Sequence, residues 1–325
     1  MITALELGLI YAIVALGVYL TFRVLNFPDL TVDGSFTTGA ATASILIING
    51  FNPFLATGIA FFVGALAGLI TGLLHTKGNI NGLLAGILTM IGLYSINLRI
   101  MGGANMPLLG EETVISALRE FAGTGLTSVG VLVVVALLFK VALDWFLHTD
   151  AGLTLRATGD NEKMIRSFAV STDRMKILGL MISNGLVGMA GAVIAQHQGF
   201  ADIGMGIGLI LVGLASVILG QAIFGTRLVV QATMASVLGA VVYRLAIQLA
   251  LNAGLNPNDM KLMSALLVIA ALLLPQWRGF RVIAGWRNKS RSSALAATAE
   301  VVRTSEANVP SSYAQGRKVS QHAER

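Results

Sequence analysis

Cysteine is missing from all 325 residues, which removes disulfides, thiolate nucleophiles and thiolate-held metals from consideration. Histidine is nearly as scarce: four copies, at 75, 148, 197 and 322, never at the HExxH spacing that seats a zinc ion. Charged residues reach only 12%, about half the share of an ordinary soluble domain. The chain also lacks a GxSxG elbow and a Walker GxxxxGK[ST] loop. Asp29 and Asp33 form a single spaced acidic pair with no second pair to build a pyrophosphate site. Hydrolases, nucleotide-burning enzymes and metal-dependent prenyl chemistry are therefore all disfavoured, and an enzymatic role is not expected.

What fills the chain instead is apolar. Hydrophobic residues make up 55%, mean hydropathy is +0.78, and 37 glycines suit helices that approach closely in lipid. An all-α polytopic membrane protein follows, since only helices or closed barrels satisfy the backbone in a bilayer and a span needs about 20 apolar residues. Hydropathy predicts nine spans, at 5–23, 30–48, 54–74, 80–101, 126–147, 175–198, 206–224, 228–251 and 259–276. Glu6, with no Lys or Arg ahead of it, sets the first apart from a secretory leader. The membrane domain is expected over 1–280 and a flexible, basic cytoplasmic tail over 281–325.

The net charge of +6 lies at loop ends and in the tail, so it speaks for membrane orientation and not for nucleic acid. Arg156, Lys163, Arg166, Arg174 and Lys176 cluster in one loop, and Arg278, Arg281, Arg287, Lys289 and Arg291 follow the last span. Placing both clusters in the cytoplasm puts the amino terminus outside and the carboxyl terminus inside.

The first of those loops, Asp150–Lys176, is a polar island too long for a simple hairpin and too short to fold alone. Its middle predicts a short amphipathic helix. Asp160 or Asn161 can cap it, Met164, Ile165, Phe168 and Ala169 form an apolar stripe, and Lys163, Arg166 and Asp173 lie off that stripe. Such a helix either docks a soluble partner or lies on the lipid surface. On the other side, a short helix is predicted over 114–121 in the outer segment 102–125.

Three intramembrane places are polar. Asn26-Phe-Pro-Asp29-Leu-Thr31-Val-Asp33 interrupts what would be a long hairpin, and its carboxylates either line a cavity or cap the second span. Gln196-His197-Gln198 precedes a glycine-spaced stretch that marks tight packing or a broken helix. Asn97 and Arg244 stand among scattered single polar residues; the arginine either faces the interior or snorkels to the outer face. Asn26, Asp29, Thr31, Asp33, Asn97, Gln196, Gln198 and Arg244 are the candidate pathway residues.

The island carries a resemblance. Gly152-Leu-Thr-Leu155-Arg156-Ala157-Thr-Gly159-Asp160-Asn161 is similar to the cytoplasmic loop of ABC importer permeases of the branched-chain amino acid and ribose permease superfamily. The likeness extends through Ser183–Ala192 and back to Gly8–Gly17 and Asn26–Gly34, whose FPDLTVDGSF stretch resembles a subgroup linked to aromatic amino acids. The resemblance implies a multi-pass subunit of the bacterial inner membrane with no ATPase of its own. Two cytoplasmic ATPases, holding ATP and Mg, would grip Arg156, Gly159, Asp160, Asn161, Lys163, Met164, Ile165 and Phe168. An extracytoplasmic binding protein would deliver solute, and a second permease copy would complete the path. This chain itself is expected to bind no cofactor. The rival from another class is an ion-coupled carrier using Asp29 or Asp33.

Overall fold

The computed structural model describes residues 2–273 apart from 124, 227 and 255–259. Helices α1 (Ile2–Tyr19), α2 (Thr31–Ile48), α3 (Pro53–Thr76) and α4 (Gly82–Met101) come first, followed by strand β1 (Asn105–Pro107) and helix α5 (Val114–Ala122). Then come α6 (Leu126–His148), α7 (Asp150–Asp160), α8 (Glu162–Ser167) and α9 (Thr172–Gln198). Strand β2 (Phe200–Asp202) and helices α10 (Leu209–Phe224), α11 (Val229–Asn252) and α12 (Met260–Leu273) complete the order.

Helix boundaries follow local chemistry. Asn52 accepts from the Phe54 and Leu55 amides and Pro53 opens α3, while Asn81 accepts from Leu83 at the start of α4. The predicted interruption after the first helix is present. Helix α1 relaxes into a π-helical turn over Leu20–Val24, Asn26 takes a left-handed backbone (φ 52°), and Pro28 precedes the restart. Asp29 Oδ1 then accepts from the Thr31 amide, 2.9 Å, at the first turn of α2.

Helices α1 and α9 run through the middle of the bundle and are more enclosed than α3, α4, α6 and α11. The others approach α9 through small residues. A side chain at Gly39 of α2 would overlap the Gly188 backbone of α9, and Gly64 and Gly68 of α3 lie as tightly against the Asn184 and Leu180 carbonyls. Without a hydrophobic drive between helices in lipid, such backbone contact supplies the dispersion attraction that holds them.

Among the described residues six helices are long and apolar enough to cross a membrane: Ile2–Val24, α3, α4, α6, α9 and α11. Helices α2, α10 and α12 occupy the other three predicted places but are shorter or more polar. Helix α2 shows why hydropathy undercounts it. Thr31, Ser35, Thr37, Thr38 and Ser44 are all buried, most of them bonded within the protein, so its surroundings are protein and not lipid. Of the basic residues used for orientation, those from Arg278 on lie outside the described residues, as does the predicted tail at 281–325.

At one end β1 and β2 pair antiparallel (Asn105 with Asp202, Met106 with Ala201, Pro107 with Phe200), tying the exits of α4 and α9. At the other end the interruption at 25–30, the α3–α4 turn and the polar island meet.

Candidate functional site

Three polar assemblies occupy the described part of the molecule. The innermost is built on the interruption. Asn184 of α9 donates from Nδ2 to Asp29 Oδ2 (2.6 Å) and accepts from Ser35 Oγ at its Oδ1 (2.7 Å), so one amide joins the break, α2 and α9. Asp29 is 2% exposed. Beside it the hydroxyls of Thr31, Thr71 and Thr89 form a ladder across α2, α3 and α4, with spacings of 2.7 and 2.9 Å. Asp29 thus serves the start of α2, in line with the capping alternative. Asp33 does not. Its carboxylate accepts from the Gly208 and Ile210 amides, 2.8 and 2.9 Å, and so caps α10 instead of the helix it belongs to. It sits in the first turn of α2, where its side chain is free to reach a neighbouring helix.

Above this network lies a cavity of about 410 Å³ between α2, α4 and the 203–208 turn, lined by Asp33, Tyr94, Asn97, Ile91, Ile203 and Ile207 among others. Two predicted pathway residues, Asp33 of α2 and Asn97 of α4, are among those lining it. The other candidates are elsewhere. Asn26 lies exposed at the interruption. Gln196 is committed to structure: it accepts from the Val114 amide and donates to Thr57 Oγ1, both 2.8 Å, pinning α5 and α3 to α9. Gln198 is exposed at the end of α9. Arg244 is half-buried with its guanidinium 5.3 Å from the centre of the Tyr11 ring, so it faces a helix interface.

The third assembly is the island, and it departs from expectation in outline. Residues 150–160 form a helix, α7, started by Thr149, and Asn161 ends it and restarts α8 by accepting from the Met164 amide at 3.1 Å. Helix α8 stops at Ser167, short of the end of the predicted stripe, because Ala169 turns left-handed (φ 59°). The stripe is therefore split. Ile165 is buried, while Met164 and Phe168 stand 50% and 69% exposed. Lys163 and Asp160 are exposed, and Arg156 instead lines a polar recess of about 220 Å³ with Tyr19 and Arg23. Gly159 abuts the Val24 carbonyl so closely that any side chain there would displace α7 from the interruption.

A chain of contacts runs from α8 inward. Glu162 takes Lys176 (2.8 Å) and Arg166 (2.9 Å); Lys176 Nζ is 3.4 Å from His75 Nε2; and the His75 ring meets Phe27 edge-on at 5.1 Å. Burial pushes the Glu162 carboxyl up, but Lys176, Arg166 and Thr172 outweigh it and hold the group below the usual glutamate range.

Two buried charged clusters were not anticipated. Lys140 pairs with Asp144 one turn along α6, and Asp144 also accepts from Thr233 Oγ1 at 2.6 Å. The i,i+4 spacing of opposite charges inside an apolar run was a usable signal. Glu6 joins Ser128 Oγ (2.8 Å) and His197 Nε2 (3.1 Å), a triangle closed only by the tertiary fold.

Comparison with known proteins bears on this arrangement. The family described as branched-chain amino acid transport system / permease component matches residues 1–273. A tyrosine transport system permease protein of Clostridioides difficile is 41% identical over 271 residues, covering 83% of this chain and 90% of its own length. An uncharacterized Rickettsia prowazekii protein is 35% identical over 279 residues, 84% of this chain and 96% of its own. Among solved structures, PsaBC from Streptococcus pneumoniae in complex with Fab shares the fold at a TM-score of 0.50 and 16% identity, covering 82% of this chain and 89% of that one.

Proposed function

The chain belongs to the permease-component family of branched-chain amino acid transport systems, a multi-pass membrane subunit of an ABC-type transporter, and from that premise we propose that it moves an aromatic amino acid into the cytoplasm. The work comes from two copies of a separate ATPase that holds ATP and Mg. The helices cross nine times, with the amino terminus outside and the α7–α8 elbow inside. A second copy of the permease completes the path, and an extracytoplasmic binding protein loads it at the β1–β2 end.

The observation that carries this reading is the elbow. It presents Met164 and Phe168 to solvent while Ile165 anchors it, and the Glu162–Lys176–His75–Phe27 chain leads from it to the interruption. A rigid element with exposed apolar knobs, wired to a broken helix, is suited to receive motion from a partner and pass it on. The aromatic substrate is inferred from the named solute of the C. difficile relative. An ion-coupled carrier is less well supported, because Asp29 and Asp33 are each held by two protein donors.

Mild-detergent capture of the tagged chain from its native membranes, with mass spectrometry of what comes with it, tests the proposal. A stoichiometric Walker-containing ATPase and uptake of labelled L-tyrosine that depends on ATP are expected. Recovery of the folded chain alone, with uptake driven by an ion gradient, would overturn it.

A further inference from the structure

The polar recess that Arg156 lines, between the end of α1, helix α7 and the start of α11, holds donors without acceptors. Tyr19 lines it and is 6% exposed, yet its hydroxyl has no hydrogen-bond partner among the described residues. Sealed, unpartnered side-chain atoms are confined to Thr42, Ser44 and Asn97, so the Tyr19 hydroxyl keeps a solvent-facing surface. Arg23 uses its Nε on Gln221 Oε1 at 2.7 Å, which leaves both terminal amino groups without a partner among the described residues. Arg156 makes no hydrogen bond or ion pair among them. Both arginine charges lie within electrostatic reach of Tyr19.

Of the carboxylates nearby, Asp160 lines the recess and is exposed, while Asp144 is engaged by Lys140 and Thr233. Two guanidiniums against one carboxylate leave a single positive charge among the described lining residues. One phosphodiester balances that charge, whereas a phosphomonoester, at about −1.5 to −2, overshoots it. Arginine donors match phosphate oxygens in geometry as well as charge.

Position selects the source of the phosphate. The spans Ile2–Val24 and Val229–Asn252 both border the recess, which takes Tyr19 and Arg23 from the end of one and Val229 from the start of the other. It therefore lies where spans meet water, the level of lipid headgroups. Leu228 lines the same recess at 69% exposure, and Phe22 is exposed on the neighbouring turn. Apolar surface beside a phosphate site suits an acyl chain and offers nothing to a free anion. At about 220 Å³ the recess has room for a headgroup and falls below the range of small-molecule sites.

We propose that this recess seats the phosphodiester of a phospholipid in the island-side leaflet, held by Arg23, Arg156 and the Tyr19 hydroxyl, with Leu228 against an acyl chain. Because the recess joins α1, α7 and α11, a seated lipid ties the island to two spans. The assignment does not depend on the cargo.

Native mass spectrometry of the full chain in mild detergent tests it, with phosphatidylglycerol, the diacylglycerol of the same chains, or inorganic phosphate added. Phosphatidylglycerol should be retained, and diacylglycerol, which lacks the phosphate, should not. Arg23→Gln and Arg156→Gln should each weaken retention about tenfold, the loss of a hydrogen bond to a charged group. Tyr19→Phe, which removes only the hydroxyl, should weaken it about fivefold. Arg156 has no protein partner to lose, so the lipid-free unfolding temperature of Arg156→Gln should match that of the unaltered chain, which sets lost binding apart from misfolding. Arg99→Gln, at an exposed arginine in the last turn of α4, should retain lipid fully and so exclude a general attraction between anionic lipid and a basic protein.

Unchanged retention in the variant carrying both Arg23→Gln and Arg156→Gln would overturn the proposal, as would an equal loss in Arg99→Gln or equal retention of diacylglycerol. Displacement of the lipid by millimolar inorganic phosphate would mark a free-anion site. Loss of the lipid when the ATPase joins the chain would give the recess to that partner, and either result also overturns the proposal.

Discussion

At the scale of single residues, not all buried polar contacts here weigh the same. Asn184 is the only side-chain amide on Asp29 among the described residues, and it serves α2 at the same time. Asn184→Leu should cost about 2 kcal/mol, the order seen when a buried acidic group loses a hydrogen-bond donor. Thr89→Val, which trims the end of the hydroxyl ladder, should cost only about 0.6 kcal/mol, typical of a neutral interhelical bond in a bilayer. Thermal unfolding in one detergent would rank the two, and equal losses would show that Asp29 finds another donor. Gly159→Ala presses a methyl into the Val24 backbone and should cost about 1–3 kcal/mol of overpacking while lowering uptake. Residue-level roles were the least legible part of the sequence. Asp33 was placed among possible caps, but nothing in its neighbours discloses that the capped helix starts at position 209. Gln196 read as a pathway residue because a span-buried amide is usually functional; its partners, Val114 and Thr57, are distant in sequence and become visible only in the fold.

At the scale of elements, the two apolar positions of α8 should separate cleanly. Phe168→Asp should abolish capture of the ATPase and ATP-driven uptake while leaving unfolding temperature unchanged, whereas Ile165→Asp should destabilise the chain by burying a charge. Loss of ATPase with neither or with the buried one alone would move the docking surface off the elbow. The Glu162 link adds a pH dependence. Because the folded carboxyl lies below the usual glutamate range, its contribution is present in full above that range and is lost as pH falls through the folded value. Elbow protection in hydrogen exchange should therefore decline on acidification, and Glu162→Gln should show the reduced protection at every pH. The sequence showed this element in part. The stripe and the Asn161 cap were readable because they are local, but α7 was not expected to be helical: Gly152, Gly159 and two threonines give it weak propensity, and its helix is held by Leu155 buried against the bundle and by backbone contact at Gly159.

For the whole molecule, each predicted segment meets a helix among the described residues, and six of those helices are long and apolar enough to cross a membrane. Hydropathy says less about α2, whose buried hydroxyls face protein, while α10 and α12 are apolar but short. The lack of native cysteine makes the remaining question of orientation accessible to single-cysteine labelling. A cysteine at Glu111 should react with an impermeant maleimide on intact cells, and one at Met164 should react only after permeabilisation, as both positions are exposed at opposite ends. The reverse pattern would invert the proposed orientation.

The short ribbon of Asn105–Pro107 on Phe200–Asp202 has a mechanical consequence for that whole. It staples the stem carrying Asn97 to the strand that leads into the 203–208 turn, so the two walls of the cavity share a clasp at the end away from the island. Walls clasped at one rim can part only at the other, like a purse hinged at the top. Under the proposed orientation, a stroke arriving from the island would widen the chamber on the island side while the clasped rim stays shut.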